Sequence, residues 1–411
     1  MEQYPHVDGE RLWQALMDMA EIGPSPNGGS RRLALTREDY EGRARLIEWC
    51  RELGCSVRTD DIGNLFIRRP GLDDSLEPVA TDSHLDTQPL GGRFDGILGV
   101  LAGLEVFRTL DQHGLRTRRP LELVVWTNEE GSRFAPAMMG SAVFTGQLPL
   151  AEALAATDHQ GVSVREALDS FPFIQPETAP GQPFHAFFEL HIEQGPVLEN
   201  EQLEIGVVSG AQGIRWYDIR LTGVSAHAGP TPMRYRRDPL LALAAFVREL
   251  QDIVTSGDPD CGRFTIGELS VTEPSRNVIP GEITLTLDLR HESEQELEAM
   301  EARMLAALEQ TASDAGVSAS CERRWVSPSQ PFDADCVGLV EQTTQALGYS
   351  YRTMMSGAGH DSVNISRIAP CAMIFIPCRD GISHNEAEYA DPESCRKGAD
   401  VLLNVILKAA Q

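Results

Sequence analysis

Positive charge is what this sequence is short of: 35 Lys and Arg face 61 Asp and Glu in 411 residues, a net charge of −26. That balance excludes nucleic acid and anionic membrane as expected partners, because both are met with basic surface. No apolar run approaches the roughly 18 residues of a membrane span. Residues 1–4 offer neither a basic nor an apolar leader, so no signal peptide is expected. The eight cysteines (50, 55, 261, 321, 336, 371, 378, 395) contain no C-x-x-C pair. They read as reduced thiols of a cytoplasmic protein, with neither a disulfide framework nor a cysteine zinc site. Internal repeats and low-complexity tracts are missing as well.

What is present is an ordinary globular composition, 42% hydrophobic and 23% charged, with length enough for two domains. Helical spacing marks residues 8–22, 37–53 and 96–110, and strand patterns mark 56–59, 64–68 and 121–126. This alternation predicts an α/β fold, a mostly parallel sheet with helices on both faces. From about residue 212 the texture changes. An alternating strand (216–221), an apolar helix (239–253), strands 264–271 and 283–289 and a charged helix (293–315) suggest an inserted α+β domain. The expected division is 1–211 with 326–411 as one domain and 212–325 as the insert. A helix at 337–347 and a strand at 372–376 resume the first domain. The Pro-rich stretch 172–183 reads as a surface loop.

Chemistry concentrates around Ser83-His84-Leu85-Asp86-Thr87 and Gly91-Gly92-Arg93-Phe94-Asp95-Gly96. On an extended chain residues i and i+2 share a face, so Asp86 can accept a hydrogen bond from the His84 ring, as partners of metal-ligating histidines do. The glycines allow a turn that returns Asp95 to His84. Four further segments carry similar side chains: Glu129-Glu130 at a strand end, Glu189-Leu190-His191-Ile192-Glu193-Gln194, Gly357-Ala358-Gly359-His360-Asp361, and Ser383-His384. Singly, each also reads as a solvated edge, a half-exposed strand, a plain turn or a surface loop. Jointly, His84, Asp95, Glu130, His191 and His384 suit a pair of divalent ions, Zn²⁺ first, with Mn²⁺ or Co²⁺ as alternatives. Glu129, beside a ligand, is the candidate proton shuttle.

These segments, with 224–232 and 276–282, resemble the amidohydrolases of the hydantoinase/carbamoylase family over residues 10–405. That family comprises N-carbamoyl-L-amino-acid hydrolases, β-ureidopropionases and allantoate amidohydrolases, within the dinuclear zinc enzymes related to aminoacylases and carboxypeptidases. The resemblance implies that Asp95 bridges two metals, with His84 and His191 on one and Glu130 and His384 on the other. It implies Glu129 as general base, Asp86 as the residue orienting His84, and His227 as the oxyanion donor. Arg290 and Asn277 would hold a substrate carboxylate, for which arginine's planar fork is suited. Gln194, Gly359 and His360 would line the pocket. The insert would be a lid and the main contact of a homodimer. The implied reaction is hydrolysis of the ureido C–N bond of N-carbamoyl-L-amino acids or N-carbamoyl-β-alanine, with allantoate second. Peptidase-like relatives usually place a carboxylate where this chain has His191, which counts against a dipeptidase or aminoacylase. The intact ligand set counts against a non-catalytic binding protein.

Overall fold

The computed structural model describes residues 4–170, 183–257 and 260–411, so positions 172–182 of the expected Pro-rich loop lie outside the described residues. Two compact units are present: Ala211–Gln330 forms one, and the described residues before and after it form the other.

In the discontinuous unit, Leu121–Trp126, Val79–His84, Ala186–Ile192 and Cys371–Ile376 lie side by side and run parallel. Antiparallel strands flank them, Ser56–Thr59 and Leu65–Arg69 on one side and Ile205–Ala211 on the other. Every residue of the four parallel strands is buried, as a sheet covered on both faces requires. Neighbouring residues feed opposite cores. Val79, Val125, Phe188 and Ile374 join helices Gly9–Ala20, Ile97–Gln112 and Pro392–Ala409. Ala80, Val124, Phe187 and Met373 join a second cluster with Phe144, Phe184 and Ile365. The expected α/β class with a mostly parallel central sheet is what the chain adopts.

The inserted unit has a five-stranded antiparallel sheet in which Leu269–Val271, Glu282–His291, Gly213–Thr222 and Ser318–Ser327 follow one another, with Arg263–Thr265 also on Glu282–His291. Helices Pro239–Thr255 and Glu294–Asp314 cover one face, burying Phe246, Leu250, Met300 and Met304 against Ile219, Leu285 and Leu287. Ser318–Ser327 keeps pairing to Ser327↔Ile214, which carries the unit beyond residue 325. The single strand expected at 264–271 is two. Around Gly267 the ladder is interrupted, and the Glu268 amide donates instead to the Thr286 hydroxyl, 3.0 Å away.

Two buried arginines brace the parallel sheet near its carboxyl ends. Arg32 donates to the carbonyls of Leu85, Met19 and Ile22. Arg43 pairs with Asp39 at 2.9 Å and donates to the carbonyls of Gly63 and Trp126. Removing one member of a buried pair leaves the other charge uncompensated. Arg43→Ala is therefore expected to destabilise the fold by about 3–5 kcal/mol, read from equilibrium urea unfolding; a loss of well under 1 kcal/mol would contradict the bracing role.

Candidate metal centre

The carboxyl ends of adjacent parallel strands are where an open α/β sheet gathers its ligands. Here all four contribute. His84 ends Val79–His84, Glu129 and Glu130 follow Leu121–Trp126, His191 lies near the end of Ala186–Ile192, and the loop after Cys371–Ile376 carries His384. Asp95 arrives from the turn before helix Ile97–Gln112. Gly96 makes that turn possible: its φ is +73°, and a Cβ on it would lie 2.4 Å from the His84 ring. At Gly92 a Cβ would fall 1.9 Å from Glu388 Oε1.

Asp95 lies at the centre. Its Oδ1 is 3.1 Å from His191 Nε2 and 3.7 Å from His84 Nε2, while its Oδ2 is 3.2 Å from His384 Nε2. His384 Nε2 is also 3.3 Å from Glu130 Oε2. Two triplets that share Asp95 therefore have the spacing of metal sites: His84–Asp95–His191 and Asp95–Glu130–His384. In the first, each histidine donates Nδ1–H to a backbone carbonyl, His84 to Asp86 and His191 to Ile192, both at 2.9 Å. That bond fixes the ring orientation and turns Nε2 inward; the Gly96 backbone nitrogen lies 3.2 Å from His191 Nε2.

The adjacent glutamates are held differently. Glu130 is gripped by Gln88, which donates its backbone N–H at 3.0 Å and its side-chain amide at 2.7 Å. Glu129 Oε2 lies 3.4 Å from His84 Nε2, and among the described residues its carboxylate accepts no hydrogen bond. The Asp86 carboxylate accepts the backbone N–H groups of Glu129 and Glu130, at 3.3 and 3.2 Å. This differs from the arrangement expected from the i, i+2 geometry. It is the carbonyl of Asp86 that meets the His84 ring, because the chain turns after His84 and swings the carboxylate, whose Oδ1 is 3.9 Å from the ring, toward the Glu129 loop.

The electrostatics favour a cation. Among the described residues, no Lys or Arg forms an ion pair with Asp95, Glu129 or Glu130. Burial, then the Asp361 and Glu130 charges, push Glu129 well above the usual carboxylate range. Burial and Asp95 lift Glu130 to about 8. Burial would raise Asp95 too, but the bonds from His191 and His384 hold it well below that range. The bond to Asp95 lifts His384 to about 9. His191 reaches about 9 because the same carboxylate outweighs its burial. Burial drives His84 down to about 4. Clustered buried carboxylates with no Lys or Arg partner among the described residues are expensive unless they coordinate cations, and three imidazoles with two carboxylates are donors suited to Zn²⁺, Mn²⁺ or Co²⁺. The residues fit a divalent pair.

The remaining expected residues divide into groups. Gln194, at φ +57°, donates to Asp95 Oδ2 at 3.0 Å, so it touches the central carboxylate directly. His360 is fully buried, its Nε2 2.9 Å from the Ser356 hydroxyl and its ring edge-on to His191 at 4.6 Å. It backs a ligand, in contrast to the expected pocket-lining place. Gly359 lies against Met138. In the inserted unit, His227 pairs with Val278 in a two-stranded ribbon, next to Asn277, whose carbonyl accepts the Ala228 amide. The Gly229 amide donates to His227 Nδ1, which leaves Nε2 as the protonated nitrogen of this exposed ring. Arg290 lies on a different strand, its Nε and Nη2 bonded to Asp288 at 2.9 and 2.7 Å.

Gln88, Ser383 and Glu388 were not anticipated. Ser383 Oγ lies 3.0 Å from both Asp95 Oδ2 and Glu388 Oε2. Glu388 accepts the amides of Phe94 and Asp95. Their only sequence signal was closeness to a candidate ligand, which does not separate a supporting residue from a surface one.

A parallel α/β sheet whose strand ends bring imidazoles and carboxylates into two triplets sharing one aspartate has the donor set that a metal-dependent hydrolase uses. The chain belongs to the Peptidase family M20/M25/M40, whose model matches residues 80–408. It is 42% identical to an N-carbamoyl-L-amino-acid amidohydrolase of Rhizobium meliloti, covering 98% of this chain and 97% of that one. A crystal structure of a hydantoinase/carbamoylase family amidase from Burkholderia ambifaria superposes with a TM-score of 0.96 at 50% identity, covering 100% and 99% of the two chains. An allantoate amidohydrolase of Bacillus subtilis is 33% identical over 95% of both.

Proposed function

We propose that the protein hydrolyses the ureido C–N bond of N-carbamoyl-L-amino acids, giving amino acid, carbon dioxide and ammonia from substrate and one water. The observation that carries this reading is the division of labour at Asp95, Oδ1 toward His84 and His191 and Oδ2 toward His384, alongside a Glu129 carboxylate that accepts no hydrogen bond among the described residues. The full-length likeness to the Rhizobium meliloti amidohydrolase supports the substrate class.

A ureido carbonyl is a poor electrophile because both nitrogens donate into it. Two divalent ions, when bound by His84, Asp95, His191, Glu130 and His384, supply Lewis acidity and acidify water. Zn²⁺ is our assignment for both, and Mn²⁺ and Co²⁺ suit the same donors. Glu129 accepts a proton from the attacking water at its carboxylate and returns it to the departing nitrogen. Its raised proton affinity suits a group that must hold a proton between two steps. His227 Nε2–H stabilises the developing oxyanion. Arg290, pre-oriented by Asp288, and Asn277 receive the substrate carboxylate. Asp86 sets the Glu129–Glu130 loop, and Gln194 holds Asp95.

We assign the inserted unit to lid closure and to a homodimer. Its sheet ends on Ser318–Ser327, a long strand with an exposed pattern that pairs on one side among the described residues, with exposed Trp216 and Trp325 rings 4.8 Å apart. All eight cysteines are free, which suits the reducing cytoplasm. No helix among the described residues is long and apolar enough to cross a membrane.

Allantoate is the second reading, supported by the Bacillus subtilis relative. Ammonia release should be measured with N-carbamoyl-L- and D-amino acids, N-carbamoyl-β-alanine and allantoate, on apoprotein reloaded with each metal. The N-carbamoyl-L-amino acids are expected to lead; allantoate in first place would overturn the substrate while leaving the mechanism intact.

A further inference from the structure

The two metal triplets are built unequally. His84 and His191 stand on buried strands, 3% and 1% exposed, each with its second ring nitrogen tied to a carbonyl. His384 stands on a loop, 52% exposed and at a φ of +54°. Among the described residues its Nδ1 has no hydrogen-bond partner. A histidine without that second bond depends on its backbone for aim. The orientation of His384 is therefore set by whatever fixes the loop.

That loop is held on two sides. On the inner side Ser383 reaches Asp95 and Glu388. On the outer side Glu386, two residues past the ligand, is clasped by a second loop. Its Oε1 accepts the Ser25 hydroxyl at 2.5 Å and the Asn27 amide N–H at 3.0 Å, and its Oε2 accepts the Asn27 side-chain amide at 2.7 Å. The clasping loop is itself cross-linked by hydrogen bonds. Ser25 N–H donates to the Gly29 carbonyl, Gly29 N–H to the Ser25 hydroxyl, and Ser30 exchanges both backbone bonds with Gly91. Packing is too close for a side chain at Gly29, where a Cβ would meet Gly91 O at 2.2 Å and Glu386 Cα at 2.9 Å. Through Gly91 this loop joins the turn that carries Asp95, so one frame holds two ligands of the same triplet.

We propose that Glu386, clasped by Ser25 and Asn27, is a positioning residue that sets the affinity of the Asp95–Glu130–His384 position without affecting the His84–Asp95–His191 position. The inference rests on the two-ion reading given above. It makes the His384 ion the exchangeable one, bound by an exposed ligand whose aim is borrowed from a neighbouring loop.

The test is metal content per chain, by mass spectrometry, after dialysis of Zn²⁺-loaded protein against a graded series of a weak chelator. The wild-type protein is expected to release its ions in two steps. Glu386→Ala should move the first step to about tenfold less chelator, the scale seen when a ligand's outer partner is lost, and leave the second in place. Glu386→Gln keeps one oxygen as acceptor for the Ser25 hydroxyl and the Asn27 backbone N–H, and its NH₂ can donate to Asn27 Oδ1 once that exposed side-chain amide flips, so this variant should stay near wild type. That rescue separates the clasp from a mere loss of negative charge near His384. Asn27→Ala, on an exposed side chain, is the milder variant and should shift the first step by a smaller factor. Unchanged release in Glu386→Ala, or both steps moving together, would overturn the proposal. Fewer than two ions in the wild-type protein would instead sink the two-ion reading beneath it.

Discussion

Glu129→Gln is expected to keep both divalent ions and to lose kcat by about 10²–10⁴-fold, the range that a positioned general base supplies. Each tenfold corresponds to about 1.4 kcal/mol of barrier, so the loss is about 3–5 kcal/mol. The expectation follows from how differently the adjacent glutamates are held. Gln88 and His384 occupy the Glu130 carboxylate, whereas that of Glu129 meets only the His84 ring among the described residues. Burial and four neighbouring carboxylates, Asp361, Glu130, Asp86 and Asp95, raise its hold on a proton. Glutamine keeps the shape and removes the basic oxygen, so the ligand triplets should survive. The check is metal content together with steady-state kinetics under saturating substrate. Near-normal turnover with both ions present would rule out Glu129 as the base, and loss of an ion would make it a ligand.

Asp95→Asn is expected to lower metal content further than removal of either outer ligand. Both Asp95 oxygens are committed, Oδ1 toward His84 and His191 and Oδ2 toward His384, so each ion loses an anionic donor in the variant. The new amide also sets an N–H₂ group against either the His191 ring or the donors Gln194 and Ser383. Those are unfavourable contacts for a buried polar group. His191→Ala and His384→Ala each disturb one triplet and should retain about one ion per chain at a chelator level that strips Asp95→Asn bare. Equal metal content in the three variants would show that Asp95 does not link the two positions.

Much of this is legible in the sequence. The strand patterns at 121–126 and 372–376 and the helix at 96–110 correspond closely to Leu121–Trp126, Cys371–Ile376 and Ile97–Gln112. Continuous apolar runs and a 3.6-residue period survive packing, since burial on both faces of a parallel sheet demands them. The segment at 187–194 was less transparent. Its polar alternation also suited a half-exposed strand, yet Ala186–Ile192 is buried throughout. Ser83 and Ser362 satisfy Glu189, and Glu193 caps helix Val197–Glu201 at the amides of Val197 and Leu198. The two serines come from a distant strand and a distant helix, so local periodicity carried no trace of them.

Residue order alone specified which side chains could bear the chemistry and on which kind of element each would stand. A histidine at a strand end, an acid after a Gly-rich turn and a pair of glutamates at the next strand end are local facts. Pairing them is not local. The parallel register of Val79–His84 between Leu121–Trp126 and Ala186–Ile192 brings their carboxyl ends to one rim and sets His84 beside His191 and Glu129. It also decided that Asp86 meets His84 through its carbonyl, that Gln88 grips Glu130 while the Glu129 carboxylate accepts no hydrogen bond among the described residues, and that His360 backs a ligand. The grip on Glu130 and the seating of His360 against His191 depend on contacts between segments tens to hundreds of residues apart, whose distances arise only when the sheet closes.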